Sequence, residues 1–253
     1  MKIIGSDYDG TLSVGGITDE KIAAINQWRR SGNKFGVVTG RCTDFLEYLR
    51  GKAPDLELDF YACCSGGCIV DSKGRVIHET RNTDLNIKAF TRSLLDLGCK
   101  RVYVYGIDNR CIVDFEEDSP QHLKKEKIFL FDQQGELEYF NQITVELRSL
   151  DMVAEVAEHI RTTYRDRLTV LTNGRSIDIV PKGVNKAEGL YRVMEHFGGS
   201  KEDIIAVGDN FNDIDMLREF HSYAMESGIN EIKAITHGVV GDVTEIFEYF
   251  KVY

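Results

Sequence analysis

Two carboxylates near the start of the sequence are the first residues whose types and spacing could do chemistry. Asp7 and Asp9 belong to the segment Asp7-Tyr8-Asp9-Gly10-Thr11-Leu12, directly after the apolar Ile3-Ile4. Side chains two positions apart on a strand point to the same side. Carboxylates held that close repel each other unless a cation lies between them or one keeps its proton. The pair indicates a divalent-metal site or a nucleophile with an acid/base partner; the alternative is a strand running into an Asp/Gly turn.

A second acidic cluster follows another short apolar run. Ile204-Ile205-Ala206-Val207 predicts a buried strand, and it leads into Gly208-Asp209-Asn210-Phe211-Asn212-Asp213. Because Mg²⁺ prefers oxygen ligands, Asp209 is a candidate ligand if its strand lies beside that of Asp7. Asp213 could orient or join the same shell. A calcium-binding EF-hand is not indicated, since the closing Glu and the spacing are missing.

Strands and helices alternate at the two ends of the sequence, and they would position these groups. The predicted elements near the start are a helix beginning after Thr18, a strand over 35–39, a helix over 43–49 and a strand over 60–64. This order predicts right-handed crossovers and a parallel sheet. Ligands of such sheets bind at the carboxyl ends of the strands, where Asp7, Thr39 and Ser65 all fall.

The middle of the sequence has a different pattern, with several strands and few helices. The predicted elements are helices over 84–97 and 152–163 and strands over 101–105, 111–113, 128–131, 143–147, 168–171 and 176–180. Such a segment favours a largely antiparallel sheet with helices on one face, inserted into the first domain. A helix beginning at Lys186 and ending at Gly198-Gly199 marks the return to that domain.

Composition and charge exclude several classes of partner. The 253 residues carry a formal charge of −10, which argues against a nucleic-acid backbone or an anionic membrane surface as the main partner. No apolar run approaches the roughly 20 residues that span a bilayer, and no leader peptide is evident at the start. The six cysteines show neither a CxxC pair nor a disulfide-dense spacing, so reduced thiols and a cytoplasmic location are expected.

Four separated motifs occur in a characteristic order: Asp7-x-Asp9-Gly10-Thr11-Leu12, Thr39-Gly40-Arg41, Lys186, and Gly208-Asp209-x-x-Asn212-Asp213. Together they resemble the haloacid dehalogenase superfamily of phosphatases, and specifically its Cof-like branch. Val180 to Lys186 is similar to that branch's approach to its third motif. Lys182 competes with Lys186 for the cationic role, but the family spacing and the helix start favour Lys186. The resemblance implies a Rossmann-like α/β core over 1–82 and 184–253, and an inserted α+β cap over 83–183.

The resemblance also implies catalytic roles for particular residues. Asp7 would attack phosphorus, and Asp9 would protonate the leaving oxygen and then deprotonate the attacking water. Thr39 and Lys186 would hold the phosphoryl group and neutralise its charge. The implied cofactor is Mg²⁺, with ligands drawn from Asp7, the backbone carbonyl of Asp9, Asp209 and Asp213.

The remaining candidate residues would contact the substrate. They are Gly10, Gly40, Arg41, Ser65, Gly66 and Asn212. Arg41 could bind a substrate phosphate or contact the cap, and a surface ion pair is equally compatible with its position. Ser65-Gly66-Gly67 stands where relatives usually carry Asn-Gly, which leaves the substrate-orienting amide of those relatives without an equivalent.

The function expected from the sequence is a Mg²⁺-dependent phosphatase for small phosphorylated metabolites, with sugar phosphates first. A phosphomutase of similar architecture is the nearest alternative. A non-catalytic phospholigand-binding regulator is a third, disfavoured because a binding module has no need for both a nucleophile and an acid/base residue. The expected assembly is a monomer or a small homo-oligomer.

Overall fold

The computed structural model describes residues 1–107, 110–114, 127–128 and 137–250. The chain divides into two units. One consists of Met1–His78 and Asn185–Tyr253, and the other of Glu79–Val184. The second unit thus interrupts the first in the order of the sequence.

Strands alternate with helices through most of the described residues. The strands are β1 (Ile3–Ser6), β2 (Lys34–Val38), β3 (Phe60–Cys63), β4 (Cys68–Asp71), β5 (Val76–Glu79), β6 (Arg101–Tyr105), β7 (Arg110–Asp114), β8 (Lys127–Ile128), β9 (Gln142–Glu146), β10 (Leu168–Asn173), β11 (Ser176–Pro181), β12 (Ile204–Gly208), β13 (His221–Met225) and β14 (Gly238–Val240). The helices are α1 (Asp19–Arg30), α2 (Phe45–Lys52), α3 (Ile87–Asp96), α4 (Asp151–Thr163), α5 (Lys186–Phe197), α6 (Ile214–Glu219), α7 (Asn230–Lys233) and α8 (Ile246–Tyr249).

The sheet of the first unit brings the two ends of the sequence together. Its strand order among the described residues is β14-β13-β12-β1-β2-β3-β4-β5. Strands from β14 to β3 pair in parallel, and β4 pairs antiparallel with β3. The predicted α/β class with a parallel core sheet is therefore confirmed. Since β12 and β2 flank β1, the loops after all three strands open at one edge of the sheet.

Local sequence signals explain where the elements of this unit begin. Thr18 is the N-cap of α1, and its side chain accepts a hydrogen bond from the backbone N–H of Lys21. Asn185 caps α5 in the same way through the N–H of Glu188. Ile3 and Ile4 of β1 and the whole of β12 are buried, as expected for strands covered on both faces.

The second unit contains a separate sheet. Its order among the described residues is β10-β11-β9-β6-β7-β8, antiparallel except for the β7–β8 pair. Helices α3 and α4 contribute to one apolar core with the sheet, through residues such as Phe90 and Ile160. The expected largely antiparallel sheet with helices on one face is confirmed. Of the strand predicted over 128–131, β8 includes residue 128, and residues 129–131 lie outside the described residues.

Two sequence-based expectations about the whole chain can be compared with the structure. Within the described residues, no helix combines the length and the apolar character needed to cross a bilayer. Cys42, Cys63, Cys64, Cys68 and Cys99 are all buried free thiols. None of these five side chains takes part in a disulfide in the structure.

Candidate active site

A buried lysine joins two carboxylates at the centre of the site. The Nζ of Lys186 donates hydrogen bonds of 2.6 Å to Oδ1 of Asp7 and 2.6 Å to Oδ1 of Asp213. The side chains of Lys186 and Asp213 are 1% and 0% exposed. Lys186 reaches them because it is the first residue of α5, whereas Asp7 directly follows β1. The predicted meeting of the first, third and fourth motifs is therefore present in the structure.

Asp209 completes the acidic cluster. Carboxylate oxygens of Asp7, Asp209 and Asp213 lie within 4.8 Å of one another. Oδ1 of Asp209 accepts a 2.8 Å hydrogen bond from the hydroxyl of Thr11. Sequence patterns alone assigned no separate role to Thr11. Its position directly after Asp9 and Gly10 in the first motif was the signal that could have indicated one. Thr11 orients one oxygen of Asp209 and so influences where the other points.

Asp213 shapes the turn that carries Asp209. Its Oδ2 accepts hydrogen bonds from the backbone N–H groups of Asp209 at 3.0 Å and Asn210 at 3.1 Å. Its other oxygen accepts from Lys186. Because both oxygens are already engaged within the chain, Asp213 suits the orienting role better than the role of a direct metal ligand.

The carboxyl groups of the cluster outnumber its single lysine, and their pKa values reflect this excess of acidic groups. Burial raises the pKa of Asp7 well above its usual range, and the charges of Asp213 and Asp209 raise it further, against the opposing effect of Lys186. Burial likewise raises the pKa of Asp209, while its hydrogen bond from Thr11 acts in the opposite direction. Burial lowers the pKa of Lys186, but the attraction of Asp213 and Asp7 outweighs burial and leaves it above normal. Lys186 is therefore a permanent cation among three carboxyl groups.

The donor set fits a hard divalent cation. Carboxylate oxygens of Asp7 and Asp209 lie within 4.8 Å of each other, and two anions held that close repel each other unless a proton or a cation lies between them. Oxygen donors of this kind match Mg²⁺. Asp7 and Asp209 are the side chains best placed to hold it.

Gly10 makes the sharp turn possible at the edge of this cluster. Its φ of +80° lies in the left-handed region that favours glycine. A Cβ at this position would lie 2.4 Å from Oδ2 of Asp209. Any other residue would push the carboxylate away, so the glycine is required by close approach as well as by backbone conformation.

Asp9 has different surroundings from Asp7. Its Oδ2 and Oδ1 accept hydrogen bonds of 2.7 Å each from Nε and Nη2 of Arg41. The prediction that Asp7 and Asp9 share one direction is wrong for this turn, because β1 ends at Ser6 and strand alternation stops there. Of the three alternatives given for Arg41, which were a substrate phosphate, the cap and an ion pair, the structure shows an ion pair with Asp9.

The second predicted motif packs against the loop that follows β3. Thr39 is buried, and its hydroxyl accepts a 3.1 Å hydrogen bond from the N–H of Arg41. The N–H of Ser65 donates to the carbonyl of Thr39 at 2.9 Å. A Cβ on Gly66 would lie 2.4 Å from the carbonyl oxygen of Asn185. The loops after β2 and β3 are thus fixed to each other and to the start of α5.

Two further candidate residues belong to loops that follow strands of the same sheet. Gly40 stands between Thr39 and Arg41 in the loop after β2 and is partly exposed. Asn212 belongs to the short turn Phe211–Asp213. Among the hydrogen bonds of the described residues, none joins the Asn212 side chain to the acidic cluster.

Comparison with known proteins places the chain in a family. Residues 4–246 match the haloacid dehalogenase-like hydrolases. Two Bacillus subtilis proteins named 5-amino-6-(5-phospho-D-ribitylamino)uracil phosphatase are similar over most of their length. YwtE is 26% identical, covering 92% of this chain and 90% of its own. YcsE is 28% identical, covering 87% and 81%.

Solved structures share the fold. A haloacid dehalogenase-like hydrolase from Bacteroides thetaiotaomicron superposes with a TM-score of 0.81 at 18% identity over 99% of both chains. The subclass IIB sugar phosphatase BT4131 gives a TM-score of 0.79 at 22% identity, again over 99% of both chains. The match of residues 4–246 shows that the chain belongs to the haloacid dehalogenase-like hydrolases.

Proposed function

We propose that this protein is a Mg²⁺-dependent phosphatase that hydrolyses small phosphorylated metabolites through an aspartyl-phosphate. The observation that carries the proposal is the position of Lys186, buried and hydrogen-bonded to both Asp7 and Asp213 beside Asp209. A structural ion pair needs one carboxylate for one lysine. A site with three carboxyl groups and one lysine keeps excess negative charge for a metal ion, and so fits phosphoryl transfer.

The metal would be held by Asp7, Asp209 and the backbone carbonyl of Asp9, with Asp213 orienting the loop. When bound, Mg²⁺ supplies positive charge that offsets the negative charge of the transferring phosphoryl group. Lys186 opposes the burial that raises the pKa of Asp7, and a bound cation would act in the same direction as Lys186. Asp7 would then be ionised and able to attack.

In the first step, a carboxylate oxygen of Asp7 forms a bond to phosphorus as the bond from phosphorus to the ester oxygen breaks. Asp9 gives its proton to that oxygen, so the leaving group departs as a neutral alcohol. Lys186 stays protonated and offsets the charge of the phosphoryl group and of Asp7. The products of this step are the alcohol and the phosphorylated Asp7.

In the second step, water attacks the phosphorus of the aspartyl-phosphate. Asp9 takes a proton from that water, and the bond between phosphorus and the Asp7 oxygen breaks. Inorganic phosphate leaves, and the ionised Asp7 and protonated Asp9 are restored. One water is consumed for each ester hydrolysed.

The phosphoryl oxygens would be held mainly by the loop after β2. Thr39 would donate through its hydroxyl, and backbone N–H groups at Gly10 and Gly40 would add further donors. The loop after β3 with Ser65 and Gly66, together with Asn212, would border the same region. Ser65 and Gly66 are buried, and Asn212 is partly exposed.

The substrate class follows from the relatives and from the insertion. The names of the similar B. subtilis proteins and of BT4131 denote phosphatases of small metabolites, a ribitylaminouracil phosphate and sugar phosphates. We propose sugar phosphates as the first class to test. The insertion, residues 83–183 by the sequence boundaries, would act as a cap that selects the leaving group. The buried free thiols suit a reducing, cytoplasmic location.

The test is phosphate release by the purified protein from a panel of phosphorylated metabolites, with Mg²⁺ and with a chelator. We expect release that disappears with the chelator and returns with Mg²⁺, while Ca²⁺ supports little because it is larger and less strict in geometry. Full activity in chelator would contradict the metal assignment. Transfer of labelled phosphate within the substrate, without release to water, would identify a phosphomutase instead.

A further inference from the structure

The ion pair of Asp9 with Arg41 involves the very carboxylate to which the proposed function assigns proton transfer. Arg41 donates through two nitrogens to the two oxygens of Asp9, at 2.7 Å each. This fork occupies both oxygens at once. The Asp9 carboxylate is outside the cluster formed by Asp7, Asp209 and Asp213. In this arrangement Asp9 faces the arginine and not the nucleophile.

Arg41 is held in place independently of Asp9. Its guanidinium carbon lies 5.2 Å from the ring centre of Tyr8, 5.3 Å from that of Phe45 and 5.4 Å from that of Tyr48. Contacts of this kind between a cation and aromatic rings are attractive and restrict the arginine side chain. Tyr8 and Phe45 are buried, so the frame around the guanidinium belongs to the packed part of the first unit.

The backbone of Arg41 is also fixed. Its N–H donates to the Thr39 hydroxyl at 3.1 Å, and its carbonyl accepts from the N–H of Cys64 at 2.8 Å. An ordinary exposed ion pair is weak because two long side chains must both lose freedom to form it. Here the arginine is already ordered, so the freedom lost on pairing is mainly that of the short Asp9 side chain.

We propose that Arg41 is a positioning residue that holds Asp9 turned away from the reacting phosphoryl group until substrate is bound. This inference rests on the proposed function, because it concerns the residue that protonates the leaving oxygen there. Before Asp9 can protonate the ester oxygen, both hydrogen bonds to Arg41 must break, the side chain must turn, and the carboxylate must take up from solvent the proton that it then donates. The side chains of Arg41 and Asp9 are 41% and 53% exposed, so solvent can replace these bonds during the turn.

The effect should depend on the leaving group. An alkyl phosphate needs protonation as its bond breaks, whereas 4-nitrophenyl phosphate leaves as a stable anion and needs little. Removing the arginine should therefore favour the alkyl ester over the aryl ester. Breaking an exposed ion pair changes an equilibrium by about two- to fivefold, which sets the expected size.

The experiment compares kcat for an alkyl phosphate with kcat for 4-nitrophenyl phosphate. In Arg41→Met we expect the ratio of alkyl to aryl kcat to rise about two- to fivefold over wild type. Arg41→Lys keeps the charge without the fork and should give a smaller rise. Arg192→Met is the matched control, since Arg192 forms an ion pair with Glu195 of similar exposure, 43% and 58%; its ratio should equal that of wild type.

The Asp9→Asn background shows whether Arg41 acts through Asp9. The double variant Asp9→Asn/Arg41→Met should have the same ratio of alkyl to aryl kcat as the single variant Asp9→Asn. The proposal would be overturned if the ratio of alkyl to aryl kcat fell in Arg41→Met, or if the rise in this ratio persisted in the Asp9→Asn background. It would also be overturned by a rise in KM with an unchanged ratio, which would identify Arg41 as a substrate contact. Wild-type protein that hydrolyses neither ester would refute the proposed phosphatase function itself, whereas hydrolysis without the expected shift would refute only the role of Arg41.

Discussion

Asp7 and Asp9 are separated by one residue, yet their ion pairs lie in opposite surroundings. Asp7 meets Lys186 where both side chains are almost fully buried, and Asp9 meets Arg41 where both are about half exposed. Loss of one partner from a buried pair leaves a charge that neither water nor protein stabilises. Loss of a partner from an exposed pair is largely compensated by solvent. The first pair therefore fixes its aspartate more firmly than the second pair does.

The largest effect should come from the buried carboxylate. Asp7→Asn should lower kcat by on the order of 10⁴-fold or more, because it removes the nucleophile with little change of volume. The measurement is release of phosphate from 4-nitrophenyl phosphate, with circular dichroism to confirm the fold. Near-native turnover in this variant would rule out the covalent mechanism. The difference in burial between Asp7 and Asp9 would then have no link to catalysis.

The buried lysine should dominate stability. Lys186→Met should lower the free energy of unfolding by about 3–5 kcal/mol, because Asp7 and Asp213 lose their shared cation. Urea unfolding in chelator measures this without metal replacing the lost charge. Lys201→Met is the control, since Lys201 pairs with Glu219 at the surface. Equal losses in the two variants would show that burial does not distinguish the pairs.

The metal assignment predicts an intermediate effect. Asp209→Ala should raise the Mg²⁺ concentration required for half-maximal activity by at least about 10-fold, because it removes a direct ligand. Asp215→Asn is the control, since Asp215 is an exposed aspartate in the first turn of α6. An unchanged Mg²⁺ requirement in Asp209→Ala would place the metal elsewhere.

The smallest effect should come from the exposed pair. Arg41→Met should lower the free energy of unfolding by less than about 1 kcal/mol. The same chemical change as in Lys186→Met, a cation replaced by methionine, would then differ several-fold in cost between the two pairs. A loss as large as that of Lys186→Met would mean that the aromatic frame around Arg41 depends on its charge.

Local signals in the sequence were sufficient for much of the fold and for most of the cluster. Apolar runs located β1 and β12, side chains capable of capping located the starts of α1 and α5, and the order of motifs pointed to Asp7, Lys186 and Asp209. These features depend on near neighbours in the chain, which the sequence displays directly. Roles for those residues in catalysis remain predictions.

Other features were beyond such reasoning. The hydrogen bond between Thr11 and Asp209 joins residues 198 positions apart. The residues adjacent to either of them in the sequence do not predict this contact. The ion pair of Arg41 with Asp9 depends on the turn after Ser6, in which Gly10 adopts a left-handed conformation with φ +80° and ψ −2°. Side-chain direction in such a turn follows individual backbone angles, so a period of two residues no longer applies.

The sequence by itself therefore determined which residues stand at the ends of strands and helices, because those ends depend on local composition and capping. Only the tertiary structure decided which of them meet. Lys186 is 179 positions from Asp7 and 27 from Asp213, yet it contacts both because β12 pairs with β1 and α5 begins beside them. Burial, which separates the strong ion pair from the weak one, is likewise a property of the assembled sheet and its covering helices.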